Sequence, residues 1–207
     1  MLSLLEKDSN ARVLDIGCAS GEFTLKVGGV IGTKRLYGMD IDEYMVEQAR
    51  EKGIEAIKHD VNTKFPYEDN SFDGVVSNQV LEHLYNTDGF FLEVRRILKP
   101  LGYAVISTAN LASFHNLAFM GLGMMPPGLH VSRVQVGNPL RGMETHGHVK
   151  LFTASALKDL AGYHGFKVEK LVGCGIYPFP ERISNFLSRL FTKYSTYLTI
   201  KIRKGGA

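Results

Sequence analysis

The chain has 207 residues, 44% hydrophobic and 22% charged, the make-up of one compact globular domain with no room for a second full one. A formal charge of +3, without a block of five or six like charges, gives nucleic-acid binding no support and leaves a small acceptor molecule as the expected partner. Two distant cysteines, Cys18 and Cys174, stand outside any Cys-x-x-Cys pair, which disfavours both zinc and a disulfide framework and fits a reducing cytoplasm. Met1 to Asn10 carries acids and no apolar core, so it does not read as a signal peptide. In chain order, strands are predicted at 12–16, 35–40, 54–59, 72–77, 102–108, 166–173 and 197–203, with helices between them. Asp42 is placed to cap a helix over 43–51, a second helix over 87–98 stops at Lys99-Pro100, and a third over 157–164 stops at Gly165. Strands alternating with helices mean a mostly parallel sheet covered on both faces. In the last strand Leu198, Ile200 and Ile202 alternate with Tyr197, Thr199, Lys201 and Arg203, which predicts one exposed face.

The most informative stretch is Val13-Leu14-Asp15-Ile16-Gly17-Cys18-Ala19-Ser20-Gly21, an apolar strand entering a glycine-bracketed turn. Glycines at 17 and 21 let the backbone approach a ligand closely. A second strand ends in Asp40, roughly twenty residues on, where a carboxylate can accept both hydroxyl protons of a ribose. Asp42 competes for that role, but its position favours helix capping. The glycine spacing is Asp-x-Gly-x-x-x-Gly, with Ala19 where a dinucleotide-binding loop would often carry a middle glycine. An acid at Asp15 would repel a pyrophosphate and attract an ammonium or sulfonium, so the ligand is read as a positively charged nucleoside.

Four blocks, 13–23, 37–50, 59–84 and 96–108, with a weaker fifth at 147–173, resemble in order and spacing the class I S-adenosylmethionine-dependent methyltransferases of the small-molecule, ubiquinone-biosynthesis-like type. The resemblance implies a Rossmann-like three-layer α/β sandwich with a seven-stranded, mostly parallel sheet whose last strand is antiparallel, and S-adenosyl-L-methionine as cofactor. It also implies cofactor contacts from Asp15, Gly17, Cys18, Gly21, Asp40, Ile41, Asp60, Val61 and Asn78. Asp60 would accept from the adenine amino group, Val61 would face the ring through its backbone N–H, and the Asn78 carbonyl would meet the cofactor's ammonium. Asp15 could instead bond the glycine-loop amides, and Asp60 could simply cap its own turn.

Gln79, Glu82 and His83 would share one helical face if 79–84 were helical. Related enzymes carry two glutamates and a histidine there and are thought to use a divalent cation, but Gln79 removes one charge, so no metal is expected. His83 is a candidate general base and His148, two residues after His146, a candidate substrate contact. Thr153 is read as a helix cap.

Residues 110–148 break the alternation and follow a strand whose carboxyl end should face the ligand, which points to a lid over the acceptor rather than an idle helical excursion. Phe114, Leu117, Phe119, Met120 and Met125 within it suggest an apolar or aromatic acceptor. The most apolar part, around 117–125, is broken by glycines and stopped by Pro126-Pro127, too short to span a bilayer. Ile183, Phe186, Leu187, Leu190 and Phe191 follow helical spacing, which predicts a helix packed by those residues on the sheet in preference to a second subunit, in a monomer or a homodimer. Besides an active methyltransferase working by in-line displacement, two readings remain open: a cofactor-binding, non-catalytic regulatory protein, and a nicotinamide-dependent oxidoreductase. The oxidoreductase is disfavoured by Ala19 and by the lack of a Tyr-x-x-x-Lys pair.

Overall fold

Successive side chains of a strand point to opposite faces, and in Val13–Ile16 (β1) this sends Leu14 and Ile16 into one apolar layer and Val13 into the other. The structure, a computed structural model, describes residues 1–145 and 147–205; His146 lies outside the described residues. After β1 come Glu22–Ile31 (α1), Leu36–Asp40 (β2), Glu43–Glu51 (α2), Glu55–Lys58 (β3), Phe72–Asn78 (β4) and Thr87–Ile97 (α3). Leu98–Ala109 (β5), Phe114–Gly121 (α4), Ala154–Tyr163 (α5), Phe166–Cys174 (β6), Glu181–Leu190 (α6) and Tyr197–Lys204 (β7) follow. The strands lie in the order β3-β2-β1-β4-β5-β7-β6, with β7 antiparallel to both neighbours and the rest of the sheet parallel.

Val27 and Ile31 of α1 and Val46 and Ala49 of α2 pack on one face of the sheet. Phe90, Phe91, Leu157 and Ala161, from α3 and α5, pack on the other. Full burial of Phe90 and Phe91 stabilises the second layer by roughly 1.5–3 kcal/mol each. The caps follow the sequence: Asp42 Oδ1 accepts from the N–H groups of Tyr44 and Met45, and Thr153 Oγ1 accepts from Ala156 N–H.

Three expectations need correction. β5 begins at Leu98, ahead of 102, because α3 runs straight into it; Leu98 pairs with Phe72 before a register shift that accommodates Pro100. The second face of β7 is mostly covered: Thr199 is buried, and Lys201 and Arg203 are half-buried in a cluster with Glu6 and Glu169. Most consequentially, α6 does not pack through its apolar residues. Ser184 and Ser188 face inward, while Ile183, Phe186 and Leu190 are 50%, 62% and 63% exposed. The reason is local hydrogen bonding: Ser184 Oγ accepts from Ile176 N–H at 2.6 Å, and the Ser188 carbonyl accepts from Thr192 Oγ1 and Ser195 Oγ.

Segment 110–148 leaves and returns at the carboxyl end of β5, closed at its base by the Asn110–Phe152 bridge and by Leu111 N–H donating to the Phe152 carbonyl at 3.1 Å. Apart from α4 its described residues are irregular, held by buried amides: Asn116 donates to the Asn110 carbonyl, Gln135 to the Pro127 carbonyl and Asn138 to Gln135 Oε1. No helix among the described residues is long and apolar enough to cross a membrane.

Candidate active site

The chain runs from β1 outward through β2 to β3, then crosses back to place β4 on the other side of β1. Such a switch point opens a crevice at the carboxyl ends of the strands. The turn after β1 has positive φ at Gly17 (78°), Ala19 (42°) and Gly21 (79°). It is tied to β2: the N–H groups of Gly17 and Cys18 both donate to the Met39 carbonyl, and Ala19 N–H donates to Asp40 Oδ2 at 2.9 Å. Asp40 Oδ1 accepts from Asp42 N–H at 3.1 Å. The two neighbouring acids thus divide as the sequence suggested, Asp42 to the helix cap and Asp40 to the crevice.

A Cβ on Gly17 would lie 2.3 Å from Val80 Cγ2, so only glycine lets this turn meet the chain leaving β4. Gly17→Ala adds left-handed strain to that overlap and is expected to cost roughly 2–4 kcal/mol of stability, read as a lower urea midpoint.

Asp15 is buried beneath the turn. Its Oδ2 accepts from Thr24 Oγ1 at 2.6 Å, and Oδ1 has no hydrogen-bond partner. The glycine-loop amides therefore are not its partners, because Met39 and Cys18 carbonyls take those of Gly17, Cys18 and Gly21. Burial pushes the Asp15 carboxyl up to about 7, against the opposing Thr24 hydrogen bond. Cys18 is buried as well, over Gly38, and burial pushes its thiol up to about 12. Its side chain is core, which leaves only its backbone for a ligand.

The crevice holds about 280 Å³. Gly17, Asp40, Ile41, Asp60, Val61 and His83 form much of its wall, whereas Asp15, Cys18, Gly21 and Asn78 do not line it. Asn78 ends β4 in an exposed position. Asp60 both lines the crevice and caps its own turn, with Oδ1 accepting from the backbone and side chain of Asn62. Those bonds hold its carboxyl below the usual range. His59, Asn62, Val80 and Leu84 also line the crevice, beyond the residues expected. His59 and Asn62 flank Asp60 at a strand end, a legible signal; Val80 is brought in by the turn after β4, where Gln79 has φ 58°.

Segment 79–84 is not one helical face. Only Leu81–His83 forms a 3-10 turn, and Gln79 swings toward β5, its Nε2 donating to Ser107 Oγ at 2.9 Å. The group that does assemble is Glu82, His83 and His148, whose ligand atoms lie within 4.8 Å of one another. Glu82 is fully buried, with Oε2 accepting from Thr108 Oγ1 and Oε1 without a hydrogen bond. The rings of His83 and His148 meet edge-on at 4.9 Å, and His148 stacks on His130 at 4.8 Å. His83 Nδ1 faces the Gly147 carbonyl at 3.3 Å, so the neutral ring carries its proton there and presents Nε2 as an acceptor. One carboxylate and two imidazoles are also a donor set that a first-row divalent ion accepts.

The profile of the family described as "Methyltransferase domain" matches residues 14–106, which contain the turn, Asp40, Asp60 and His83. A Mycolicibacterium smegmatis relative named a probable S-adenosylmethionine-dependent methyltransferase is 31% identical over 162 residues, covering 78% of this chain and 54% of the relative. Residues 14–106 are a methyltransferase domain by this match, and the chain is similar to the class I S-adenosylmethionine-dependent methyltransferases. A Bacillus mycoides demethylmenaquinone methyltransferase is 26% identical over 112 residues, 50% of this chain and 47% of that protein. The chain spans about half the length of these curated relatives. A Methanosarcina mazei SAM-dependent methyltransferase of solved structure shares the fold at a TM-score of 0.71 and 20% identity, covering 97% of this chain and 95% of that one.

The residues of this chain fit the cofactor of the proteins it resembles, S-adenosylmethionine. The buried, unpartnered Asp15 Oδ1 is an acceptor suited to a cationic group, and Gly17 stands in the crevice wall together with Asp40. Asp40 stands at the end of β2 with Ile41 beside it, where a ribose carboxylate partner and an apolar wall are needed together.

Proposed function

We propose that this chain transfers the methyl group of S-adenosylmethionine to a small apolar or aromatic acceptor by in-line displacement, in the cytoplasm. The observation that carries this is one crevice wall shared by the nucleoside-type residues Gly17, Asp40 and Asp60 and by His83, which touches the excursion at Gly147 and His148. The cofactor when bound supplies an activated methyl carbon. In this reading Asp40 accepts from the ribose hydroxyls, Asp60 from the adenine amino group, and Val61 and Ile41 pack the ring. Asp15, beneath the turn, and the Asn78 carbonyl, at the end of β4, stand outside the crevice wall and are assigned to the cationic end, while Gly17 gives the backbone room in the wall itself. Segment 110–148 covers the acceptor and keeps water out. His83 Nε2 takes the proton of a hydroxyl acceptor, and His148 holds the His83 ring edge-on. Demethylmenaquinone, in the name of the Bacillus mycoides relative, is an apolar quinone, in keeping with an apolar or aromatic acceptor.

Transfer of labelled methyl from S-adenosylmethionine to a panel of phenols and quinols tests the reading. His83→Ala is expected to lower kcat about 100-fold with cofactor binding unchanged. Cofactor binding with no transfer to any acceptor would instead assign a regulatory role. Activity abolished by a chelator and restored by a divalent ion would turn Glu82, His83 and His148 from proton handling to ion binding.

A further inference from the structure

Helix α6 is mounted with its small polar residues inward and its apolar residues outward, the reverse of a helix serving a protein core. Ile183, Phe186 and Leu190 have no covering element among the described residues, and Tyr177 and Phe179, just before the helix, are 69% and 48% exposed. The same surface continues onto α4. Phe114 contacts the rings of Phe191 and Tyr194 at 6.0 and 5.2 Å, and Leu117, Met120 and Leu122 are exposed beyond it. Between α4 and α6 runs an almost wholly apolar groove of about 550 Å³. A contiguous apolar surface of this kind marks an interaction site.

Charge chooses the occupant. No Asp or Glu stands between Glu93 and Glu144, or anywhere after Glu181, so both segments forming the face are almost free of acids. At 100° per residue Arg182 and Arg189 fall within about 20° of each other along the flank next to Phe186, and Lys193 follows in the next turn. A second copy of this chain docked by two-fold symmetry would set these cations against themselves with only Glu181 to offset them. A bilayer with anionic headgroups pairs every cation and takes up the apolar side chains below the headgroups, while long basic side chains reach up to the phosphates. We propose that the α4–α6 face is an interfacial docking surface for anionic lipid membranes. α4 follows β5, whose carboxyl end belongs to the same sheet edge as the crevice, so docking keeps the crevice end of the sheet close to the bilayer. On the proposed transfer reading, this narrows the acceptor to a lipid-resident molecule; the docking itself rests on the face alone.

The test is co-sedimentation with vesicles of phosphatidylcholine alone or mixed with phosphatidylglycerol. The unmodified protein is expected to pellet with the mixed vesicles and to be released by high salt. The double variant Ile183→Ser/Phe186→Ser is expected to lower partitioning at least about 10-fold, because it removes two apolar insertions. Both substituted side chains are exposed, so the variant should keep its cofactor affinity by calorimetry, which confirms a folded protein. Protein that stays in the supernatant, or a double variant that partitions unchanged, overturns the proposal. So does a dimer in sedimentation velocity that dissociates in the double variant without any vesicle binding. Vesicle binding without methyl transfer would count against the transfer reading alone.

Discussion

Taking the cofactor-free protein from about pH 4 to about pH 7 is expected to remove roughly 4 kcal/mol of stability through a single side chain, Asp15. The carboxyl is enclosed between β1 and α1, with one oxygen on Thr24 and the other unpartnered, and burial pushes it up to about 7. Below the ordinary aspartate range both the folded and the unfolded chain hold the proton, and the site imposes no penalty. As the pH climbs past that range the unfolded chain ionises while the folded protein keeps Asp15 neutral, so the unfolded state gains. The loss grows until about pH 7, where folded Asp15 ionises too and the slope ends. Carboxylates held low by basic partners, Glu6, Asp73, Glu93 and Glu169, act in the opposite sense and lose their contribution on acidification. The observable is therefore the difference between the unmodified protein and Asp15→Asn in urea midpoints at a series of pH values. That difference should widen steadily from pH 4 to pH 7 in favour of the variant; parallel curves would remove Asp15 as the source.

The same carboxyl links stability to the proposed ligand. A cation placed beside Asp15 favours its ionised form. Cofactor binding below about pH 7 should release a proton, visible in calorimetry as a binding heat that changes with the ionisation heat of the buffer. Asp15→Asn should bind without that dependence.

Much of this arrangement was legible because it is local. Strand periodicity placed all seven strands, and Asp42 could be separated from Asp40 because a cap must precede its helix immediately while a crevice residue must end a strand. What escaped depends on contacts distant in the chain. Gln79 could complete a helical face with Glu82 and His83 only if 79–84 were helical, and its hydrogen bond to Ser107, on the neighbouring strand, forbids that. His148 reaches His83 only because 110–148 folds back on itself, with the carbonyl of Glu82 accepting from Val149 and Lys150. Periodicity found α6 but not its orientation. An apolar stripe ordinarily faces a core, and here the Ser184 hydroxyl bonded to Ile176 N–H and the Ser188 carbonyl bonded to the hydroxyls of Thr192 and Ser195 decide the matter.

Asp40→Ala is expected to weaken binding of S-adenosylmethionine and of its demethylated product about 100-fold, the equivalent of losing two charge-assisted hydrogen bonds. One carboxylate here has two tasks. Oδ2 fixes the Ala19 amide, and with it a residue held at positive φ, while Oδ1 holds Asp42 N–H at the entry to α2; the residue also lines the crevice. Asp40→Asn keeps one oxygen and turns the other into a donor, so it cannot serve both amides and a sugar. It should fall between the two proteins, at about a 10-fold loss. Asp42→Ala is the control that separates ligand from scaffold. It removes the α2 cap and should lower stability by about 1 kcal/mol while leaving cofactor affinity within a few-fold, because the Asp42 carboxylate is already committed to Tyr44 and Met45. The order of affinities, measured by calorimetry on the three variants, carries the argument. Asp42→Ala binding more weakly than Asp40→Ala would mean that the ribose is held from α2 and not from the end of β2.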